Sequence, residues 1–377
     1  YLDNSEGVYC VTVEDNHSLL AGRNGKLNFV GQSQYGVMGD SSSYNKGFRL
    51  FDTRLAEAVT LAGQKVLQFT GEKFVESIKN QGYEDAYLAY GDSDSVITSM
   101  PSAESTTEAL LAGKQASEYT KQKYDGFMKK EFDVDEHLMD VEIESYASGI
   151  FFSRKSDDLE NAEEAAKKRY AQLIEWDEDE GFFGYIENPE PNIKGFDYVR
   201  SDTSQLTKEV QKEVLRIILE EDDPKKEVYD YLEQKIEEVR NGDYIEEIGK
   251  PKSISKDLSK YGTENRSCTP RIRGSKYTTK HIDGVNIDSG ASPKTYRVEN
   301  VPKDYPQTYD ADTAEDGDPV DAIALEDVNN IPDDFELDYD TMLDKTLKSS
   351  LEPILRTMEW SWADVKGKGR QKGLESF

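Results

Sequence analysis

The chain has 377 residues, 36% of them hydrophobic, and its 76 acidic and 46 basic side chains give a formal net charge of −30. Its apolar content, with 22 tyrosines, argues against a disordered acidic chain, because it is enough for a sizeable core. It has no bilayer-spanning apolar run and no signal-peptide pattern, so we expect a soluble cytoplasmic protein. Cys10 and Cys268 predict neither a disulfide framework nor a zinc site.

The acidic excess by itself argues against nucleic-acid binding, since phosphate contacts need positive charge. An acidic interaction protein is one interpretation. The other is a protein of a halophile, whose surface carboxylates keep it soluble in molar salt. At about 1 M salt the Debye length shrinks to about 3 Å, so repulsion from DNA is largely screened. The motifs described below favour the halophile.

The first hundred residues predict short strands around one long helix. Asn24-Gly25 indicates a tight turn within a small β unit. The helix spans 48–79, where apolar residues repeat at helical spacing, and Gly82 ends the region. Its apolar stripe consists of Phe51, Leu55, Val59, Ala62, Val66 and Phe69. The predicted strands are 8–13, 26–30, 86–90 and 95–98.

The middle of the chain gives a mixed pattern. Residues 141–153 alternate and carry aromatics, which predicts a strand. Residues 163–166 favour helix, whereas 168–176 leave helix and strand open. Two strands near 182–186 and 195–200 suggest a meander.

Two successive amphipathic helices follow. The first runs from about 205 to 220, with N-cap candidates just before it, and the second starts at Pro224 and stops at Asn241-Gly242. The cap candidates are Asp202, Thr203 and Ser204. The stripe of the first helix is Leu206, Val210, Val214, Ile217 and Ile218.

The C-terminal hundred residues predict loops and one further helix. Residues 262–316 are rich in Gly, Pro, Asp and Thr and predict long loops with short strands. The helix lies near 339–358, and Trp360 and Trp362 are interpreted as core residues rather than a stacking platform. The stripe of this helix is Met342, Leu343, Leu347, Leu351, Ile354 and Leu355.

The clearest chemical motif is Tyr90-Gly91-Asp92-Ser93-Asp94-Ser95. Two strands joined by a tight turn hold two carboxylates one residue apart, and residues at that spacing on an extended chain point the same way. Such a turn can aim hard oxygen ligands at Mg²⁺. Paired ions of this kind clamp the attacking and leaving oxygens of a phosphoryl transfer. The alternative is an ordinary acidic hairpin turn.

This hexamer resembles the palm motif Tyr-Gly-Asp-Thr-Asp-Ser of family B DNA polymerases, with Ser93 in place of Thr. The resemblance implies that Asp94 binds the catalytic metal and that Asp92 is the more supportive acidic position. It also places Tyr90 near the dNTP and the nascent base pair. Residues 33–36, Ser-Gln-Tyr-Gly, are similar to the end of the fingers motif of this family, which implies the same surroundings for Tyr35 and Gly36.

Two further blocks follow in the order of the family. Lys-Lys-Arg-Tyr-Ala at 167–171 resembles the motif at the palm–thumb junction, where Lys168 would meet a phosphate of the primer end and Tyr170 would pack against its sugar. Residues 194–202 resemble the block leading into the thumb, and Arg200 and Asp202 match its charged pair.

The alternatives to these two assignments are a solvated basic patch at the lysines and an ion pair with a helix N-cap at Arg200 and Asp202. Residues 273–277 and 319–327 are similar to haloarchaeal polymerase thumbs.

The first 32 residues resemble the C-terminal end of an intein. Residues 8–17 are similar to the penultimate intein block and 24–32 to the last. The resemblance implies that Ser33 is the first extein residue and accepts the N-extein, and that His17 assists cleavage. Gln32 stands where Asn is usual, and its side-chain amide would cyclise more slowly. An unrelated N-terminal β-hairpin is the alternative.

We therefore predict an α+β chain with an intein fragment at 1–32, the end of the fingers and a helix at 33–80, an antiparallel palm at 81–165 and a mixed thumb at 166–377. The implied reaction is template-directed DNA synthesis with two Mg²⁺ ions, primer–template DNA and dNTPs. The chain begins at Tyr1, and the first palm motif, the fingers lysine and the exonuclease region would lie upstream, on an N-terminal polymerase half that carries the N-intein. Two alternatives stay open: that half is a separate gene product joined by protein trans-splicing, or it belongs to one longer chain of which this sequence is a fragment.

Two other classes of function remain open. One is a protein-splicing element with the polymerase part as cargo. The other is a non-catalytic DNA-binding remnant.

Overall fold

The computed structural model describes residues 18–23, 26–31, 53–92, 94–155, 165–179, 184–264 and 268–365. They belong to two compact units, one within Tyr1–Ile143 and the other within Glu144–Phe377. Helices alternate with sheets, and the strand pairings in the described residues are antiparallel, in agreement with the α+β class. Within those ranges, no helix combines the length and the apolar character needed to cross a membrane.

The first unit contains two hairpins and two long helices. Its elements are β1 (Ser18–Arg23), β2 (Lys26–Gly31), α1 (Thr53–Asn80), β3 (Tyr87–Asp92), β4 (Ser95–Ser99) and α2 (Thr106–Phe132). The strands predicted at 26–30, 86–90 and 95–98 are confirmed. The partner of β2 is β1, in a register that joins Arg23 to Lys26. The strand predicted at 8–13 lies outside the described residues.

Helix α1 confirms the predicted helix from Thr53 onward, whereas residues 48–52 and the side chain of Leu55 lie outside what the structure describes. The described residues of the predicted stripe are half-buried or exposed. Phe74 and Ile78 are the buried apolar side chains of the helix, whereas Val59 is 51% exposed. The first turns of α1 are exposed because the neighbouring helix α2 does not extend that far. Helix α2 ends at Phe132, next to the ion pair between Glu131 and Lys65, so it does not cover the first turns of α1.

The second unit is built on a three-stranded sheet and a small four-stranded sheet. The first sheet has the order β5 (Ser145–Arg154), β6 (Ala165–Asp177), β7 (Pro191–Lys194). In the second, the strand β9 (Lys294–Asn300) pairs with three others. These are β8 (Lys250–Pro251), β10 (Ala322–Leu325) and β11 (Glu336–Leu337).

In the described part of this unit there are also six α-helices, and they contribute to one hydrophobic core. They are α3 (Gln205–Glu220), α4 (Lys225–Arg240), α5 (Ile245–Ile248), α6 (Pro270–His281), α7 (Tyr339–Leu343) and α8 (Ser349–Thr357). A π-helical turn, Asp344–Lys348, joins α7 to α8. Shorter 3₁₀ turns are Asp197–Val199, Leu258–Lys260 and Val328–Asn330.

The predicted helices at 205–220, 224–241 and 339–358 are confirmed, the last with the π-helical turn inside it. Ser204 is the N-cap of α3, and its hydroxyl accepts a hydrogen bond from the Thr207 N–H. Trp362 is buried and Trp360 packs against the same core, as predicted.

Three local predictions were wrong. Ala165 and Ala166, predicted helical, belong to β6, because pairing with β5 outweighs intrinsic helix propensity. The strand predicted at 195–200 is a bend and a 3₁₀ turn. The other predicted strand, near 182–186, amounts to a single bridge between Tyr185 and Trp176 in the described residues.

Helix α6 lies in the segment predicted as loops and short strands. Pro270 occupies its first turn, where a missing N–H costs nothing. Ile272 and Tyr277 are fully buried, and the Thr278 hydroxyl donates to the Ala324 carbonyl of β10 at 2.7 Å. The helix is held by this strand rather than by a long apolar stripe, which is why the pattern of the segment did not predict it.

Candidate functional site

The hairpin β3–β4 presents two acidic side chains at its turn. Asp92 ends β3 and pairs with Ser95, so two residues separate the paired positions. Asp94 lies in the turn and is exposed, and Asp92 is partly exposed. Because Asp94 is not on an extended strand, strand alternation does not determine where its carboxylate points. Strand geometry therefore gives no reason to expect the Asp92 and Asp94 carboxylates to point the same way, as the sequence predicted.

Helix α1 supports this hairpin from one side. A Cβ atom on Gly91 would lie 3.3 Å from Leu67 Cδ2, so strand and helix approach closely just before the acidic pair. Tyr90 pairs with Ile97 after a register shift that follows Leu88, and such a bulge increases the local twist of a hairpin. The turn with the two aspartates therefore lies at the end of a short, twisted hairpin that packs against α1.

The acidic pair has the chemistry of metal ligands. Carboxylate oxygens are the protein ligands that Mg²⁺ prefers, and the ion usually keeps waters and substrate phosphates as its other ligands. Within the described ranges, no group of three or more His, Cys, Asp and Glu side chains could hold a metal ion. Asp92 and Asp94 are oxygen ligands of the type that a hard divalent cation takes, but in the described residues they do not belong to a larger cluster of such ligands.

Strand β6 carries Lys168 and Tyr170, the two residues assigned to the primer end. Lys168 is exposed and has a positive φ of 57°, which is rare for a residue with a side chain. Tyr170 pairs with Phe152 on one side and Lys194 on the other, and its ring centroid lies 5.9 Å from that of Phe152. Between them, the Arg169 guanidinium lies over the Phe196 ring at 5.9 Å.

Arg200 and Asp202 form a two-pronged ion pair. The Arg200 Nε lies 3.0 Å from Asp202 Oδ1, the second guanidinium nitrogen lies 3.2 Å from Oδ2, and Lys252 Nζ is 3.4 Å from Oδ2. The Arg200 hydrogen bonds outweigh desolvation and hold the pKa of Asp202 at about 2. The ion-pair alternative is thus confirmed, whereas the N-cap role belongs to Ser204.

This ion pair lines a polar cavity of about 80 Å³ at the start of α3. Three of the hydroxyls around it are hydrogen-bonded within the chain: Ser204 Oγ lies 2.7 Å from Thr207 Oγ1, and the Ser350 hydroxyl donates to Asp197 at 2.6 Å. The cavity wall is therefore held by internal hydrogen bonds.

Residues 165–271 match the family model described as DNA polymerase family B. The matched segment runs from the start of β6 into α6. It contains the Lys168–Tyr170 strand and the Arg200–Asp202 ion pair.

Several proteins with polymerase names are similar to the chain over a longer range. The DNA polymerase II of Escherichia coli (strain K12) is 27% identical over 251 residues, covering 66% of this chain and 28% of that protein. A DNA polymerase of Archaeoglobus fulgidus is 26% identical over 367 residues, covering 96% of this chain and 38% of that protein. The DNA-directed DNA polymerase of Enterobacteria phage T4 is 27% identical and covers 68% of the chain. The chain spans 28% to 38% of the length of these relatives.

The end of the matched segment, together with helix α6, contains a basic stretch that the sequence motifs did not indicate. Residues 250–281 carry nine Lys and Arg against two Asp and Glu, whereas the chain as a whole has a net charge of −30. We call residues 250–281 the basic segment. A charge count in a sliding window would have found it.

Contacts among the described residues of the basic segment hold its loop against α6. The Arg271 guanidinium donates to the Ser253 carbonyl, and the Lys276 ammonium donates to the Tyr261 carbonyl at 2.9 Å. Lys256 Nζ lies 4.5 Å from the centre of the Tyr261 ring. Lys250, Lys256, Lys260 and Arg271 form no ion pair with a carboxylate of the described residues.

The predicted site residues lie in different parts of the chain. Tyr90, Asp92 and Asp94 lie in the first unit, and Lys168, Tyr170, Arg200 and Asp202 lie in the second. The structure brings Arg200 and Asp202 into direct contact. Outside the described residues lie His17, Gln32, Ser33, Tyr35 and Gly36.

Proposed function

We propose that this chain is the C-terminal part of a family B DNA polymerase and performs template-directed DNA synthesis together with an upstream half. The observation that carries the proposal is the family B match over residues 165–271. In this reaction the 3′-hydroxyl of a primer attacks the α-phosphate of a dNTP, and pyrophosphate leaves. The acidic hairpin and the basic surface described above are the parts of the chain suited to that chemistry.

Asp94 and Asp92 would contribute carboxylate oxygens to the metal site, with Asp94 the main ligand. Bound Mg²⁺ would stabilise the negative charge that develops on the transferring phosphoryl group. The hairpin holds both carboxylates on a short ribbon backed by α1, which favours a fixed position for the turn. Tyr90, with Tyr35 and Gly36, would lie near the incoming nucleotide.

The second unit would hold the DNA. The Lys168 ammonium suits a phosphate of the primer end, and the Tyr170 ring suits its sugar. Arg200 and Asp202 would act beside them as an oriented charged pair. Four cations of the basic segment form no ion pair with a carboxylate in the described residues. They would contact further phosphates along the duplex.

We also propose, from the sequence resemblance, that residues 1–32 are an intein fragment and that the source is a halophilic archaeon. The N-terminal polymerase half carrying the N-intein would then join this chain at Ser33, through His17 and Gln32. A non-catalytic DNA-binding remnant is the competing function, and the presence of the Asp92–Asp94 pair favours an enzyme.

Primer extension tests the proposal. The chain alone should extend no primer, since the hairpin supplies only part of the metal ligands. After mixing with the upstream half, mass spectrometry should place the new junction at Ser33, and the ligated product should extend a primer with Mg²⁺. In that product Asp94→Ala should lower the rate by at least about 100-fold, because a group that acts on the transition state is lost.

The matched control is Glu84→Ala, an exposed carboxylate near the hairpin, which should leave the rate unchanged. Near-normal extension by the Asp94→Ala enzyme would mean that the active site lies elsewhere. Extension without ligation would instead reject the splicing step and keep the polymerase.

A further inference from the structure

Two separate motifs of the second unit meet at one backbone contact. A Cβ atom built on Gly195 would lie 1.7 Å from the Lys168 carbonyl oxygen and 2.8 Å from the Lys168 carbonyl carbon. Both atoms belong to the backbone, so no flexible side chain can move aside. Gly195 itself has a φ of 69°, a conformation that residues with a side chain rarely adopt. No residue other than glycine fits this position without displacing β6.

The contact coincides with an irregularity in β6. Between the pairs Phe152–Tyr170 and Arg154–Ala165, β5 advances two residues while β6 advances five. The extra residues form a bulge, and Lys168 lies inside it with its positive φ of 57°. Bulges re-aim side chains and are common next to functional sites.

The residues after Gly195 are tied to the core. Phe196 is 2% exposed, and the Tyr198 N–H donates to Gln211 Oε1 of α3 at 2.7 Å. Gln211 is fully buried, and its Nε2 donates to the Ser350 carbonyl at 3.0 Å. The segment from Gly195 to Tyr198 is therefore a fixed support, and the bulge of β6 rests on it.

We propose that Gly195 is a positioning residue for Lys168. Because glycine has no Cβ, the β6 bulge can pack directly on the backbone at Gly195. This packing orients the Lys168 ammonium toward a phosphate of the primer strand. The inference rests on the proposed function, because it takes the Lys168–phosphate contact from there. Gly195 has no side chain and does not touch DNA through one. Its effect on DNA binding must therefore pass through Lys168.

Salt dependence of DNA binding separates this role from a general loss of structure. Each phosphate contact contributes about 0.9 to the slope of log Kobs against log salt concentration. The 377-residue chain would be titrated with a fluorescent primer–template duplex in graded KCl, over the range in which circular dichroism shows each variant folded. Lys168→Ala, Gly195→Ala and the double variant should each lower the slope by about 0.9, because all three lose the same contact.

Gly284→Ala is the matched control. Gly284 also has a positive φ, of 80°, but a Cβ there would meet nothing within 4 Å. This variant should lower the melting temperature and keep the wild-type slope. If Gly195→Ala keeps the slope while Lys168→Ala lowers it, or if the double variant loses about 1.8, the positioning role is rejected. If Lys168→Ala keeps the slope, the proposed phosphate contact of Lys168 is itself wrong, and the positioning role falls with it.

A second series keeps the inference testable if Gly195→Ala does not fold. The bulge requires a left-handed backbone at position 168, which glycine and asparagine tolerate and valine does not. Lys168→Val should therefore melt about 2–8 °C below Lys168→Gly and Lys168→Asn. Equal melting temperatures for the three variants would show that the backbone at 168 is not held in the bulge, and would overturn the proposal.

Discussion

At the scale of single residues, charged groups of the second unit form pairs in which each partner shifts the pKa of the other. Asp202 receives two hydrogen bonds from Arg200 and faces Lys252, so its carboxylate is stabilised in the charged form. Asp310 is in a similar position, since Lys280 holds its pKa at about 2. In both cases a neighbouring cation lowers the pKa of the carboxyl group and so keeps it ionised.

The Arg200–Asp202 pair predicts a pH dependence of stability. The folded pKa of Asp202, about 2, lies below the ordinary value of 3.8, so the pair stabilises the fold above pH 4 and loses this effect as the pH falls toward 2. Because the Arg200 side chain is 59% exposed, we expect a contribution of about 1 kcal/mol rather than the full shift.

Chemical unfolding of the wild type and of Arg200→Ala between pH 6 and pH 2.5 measures this contribution. The difference in unfolding free energy should shrink as the pH falls. In an Asp202→Asn background, Arg200→Ala should show no such pH dependence. A difference that stays constant in the wild-type background would contradict the assigned ion pair.

At the scale of elements, the basic segment is a surface unit made of a loop and the helix α6. The loop is fastened to the helix by the Arg271–Ser253 and Lys276–Tyr261 hydrogen bonds. Its exposed cations can therefore present a preformed surface to a phosphate backbone, without the ordering cost of a flexible tail. This arrangement would let a chain of net charge −30 approach DNA, as the proposed function requires.

Charge reversal tests the basic segment. The double variant Lys256→Glu and Lys260→Glu should weaken primer–template binding for all sequences and lower the salt slope by about 1.8, because two phosphate contacts are lost. The control variant Lys225→Glu and Lys303→Glu makes the same change in net charge at exposed positions outside the segment. Equal losses in both variants would mean that net charge, rather than the basic segment, governs binding.

At the scale of the whole molecule, 76 acidic side chains repel one another at low ionic strength. If the chain comes from a halophile, its melting temperature should rise from low salt to molar KCl, since salt screens this repulsion. Calorimetry over a KCl series, with sucrose as a non-ionic control, would measure the effect. A flat or falling melting temperature would reject the halophilic source and leave the polymerase proposal untouched.

Local patterns were sufficient for several elements. The apolar stripes with their caps predict α3 and α4, and the alternating apolar residues around Gly-Asp-Ser-Asp predict β3 and β4. These elements are confirmed because their signals, a 3.6-residue period, an N-cap serine and a two-residue turn, act within a few residues of chain. The acidic pair at Asp92 and Asp94 is visible for the same reason.

Only the tertiary structure decided the rest. Ala165 and Ala166 belong to a strand because β5 pairs with β6 at this end. Helix α6 is stabilised by its packing against β10, where Thr278 donates to the Ala324 carbonyl. Lys168, which has a left-handed backbone, and Gly195 are 27 residues apart in sequence but lie in backbone contact in space. The physical reason is that burial and pairing with distant residues outweigh local propensities of less than about 1 kcal/mol per residue, and sequence spacing alone does not specify which distant segments meet.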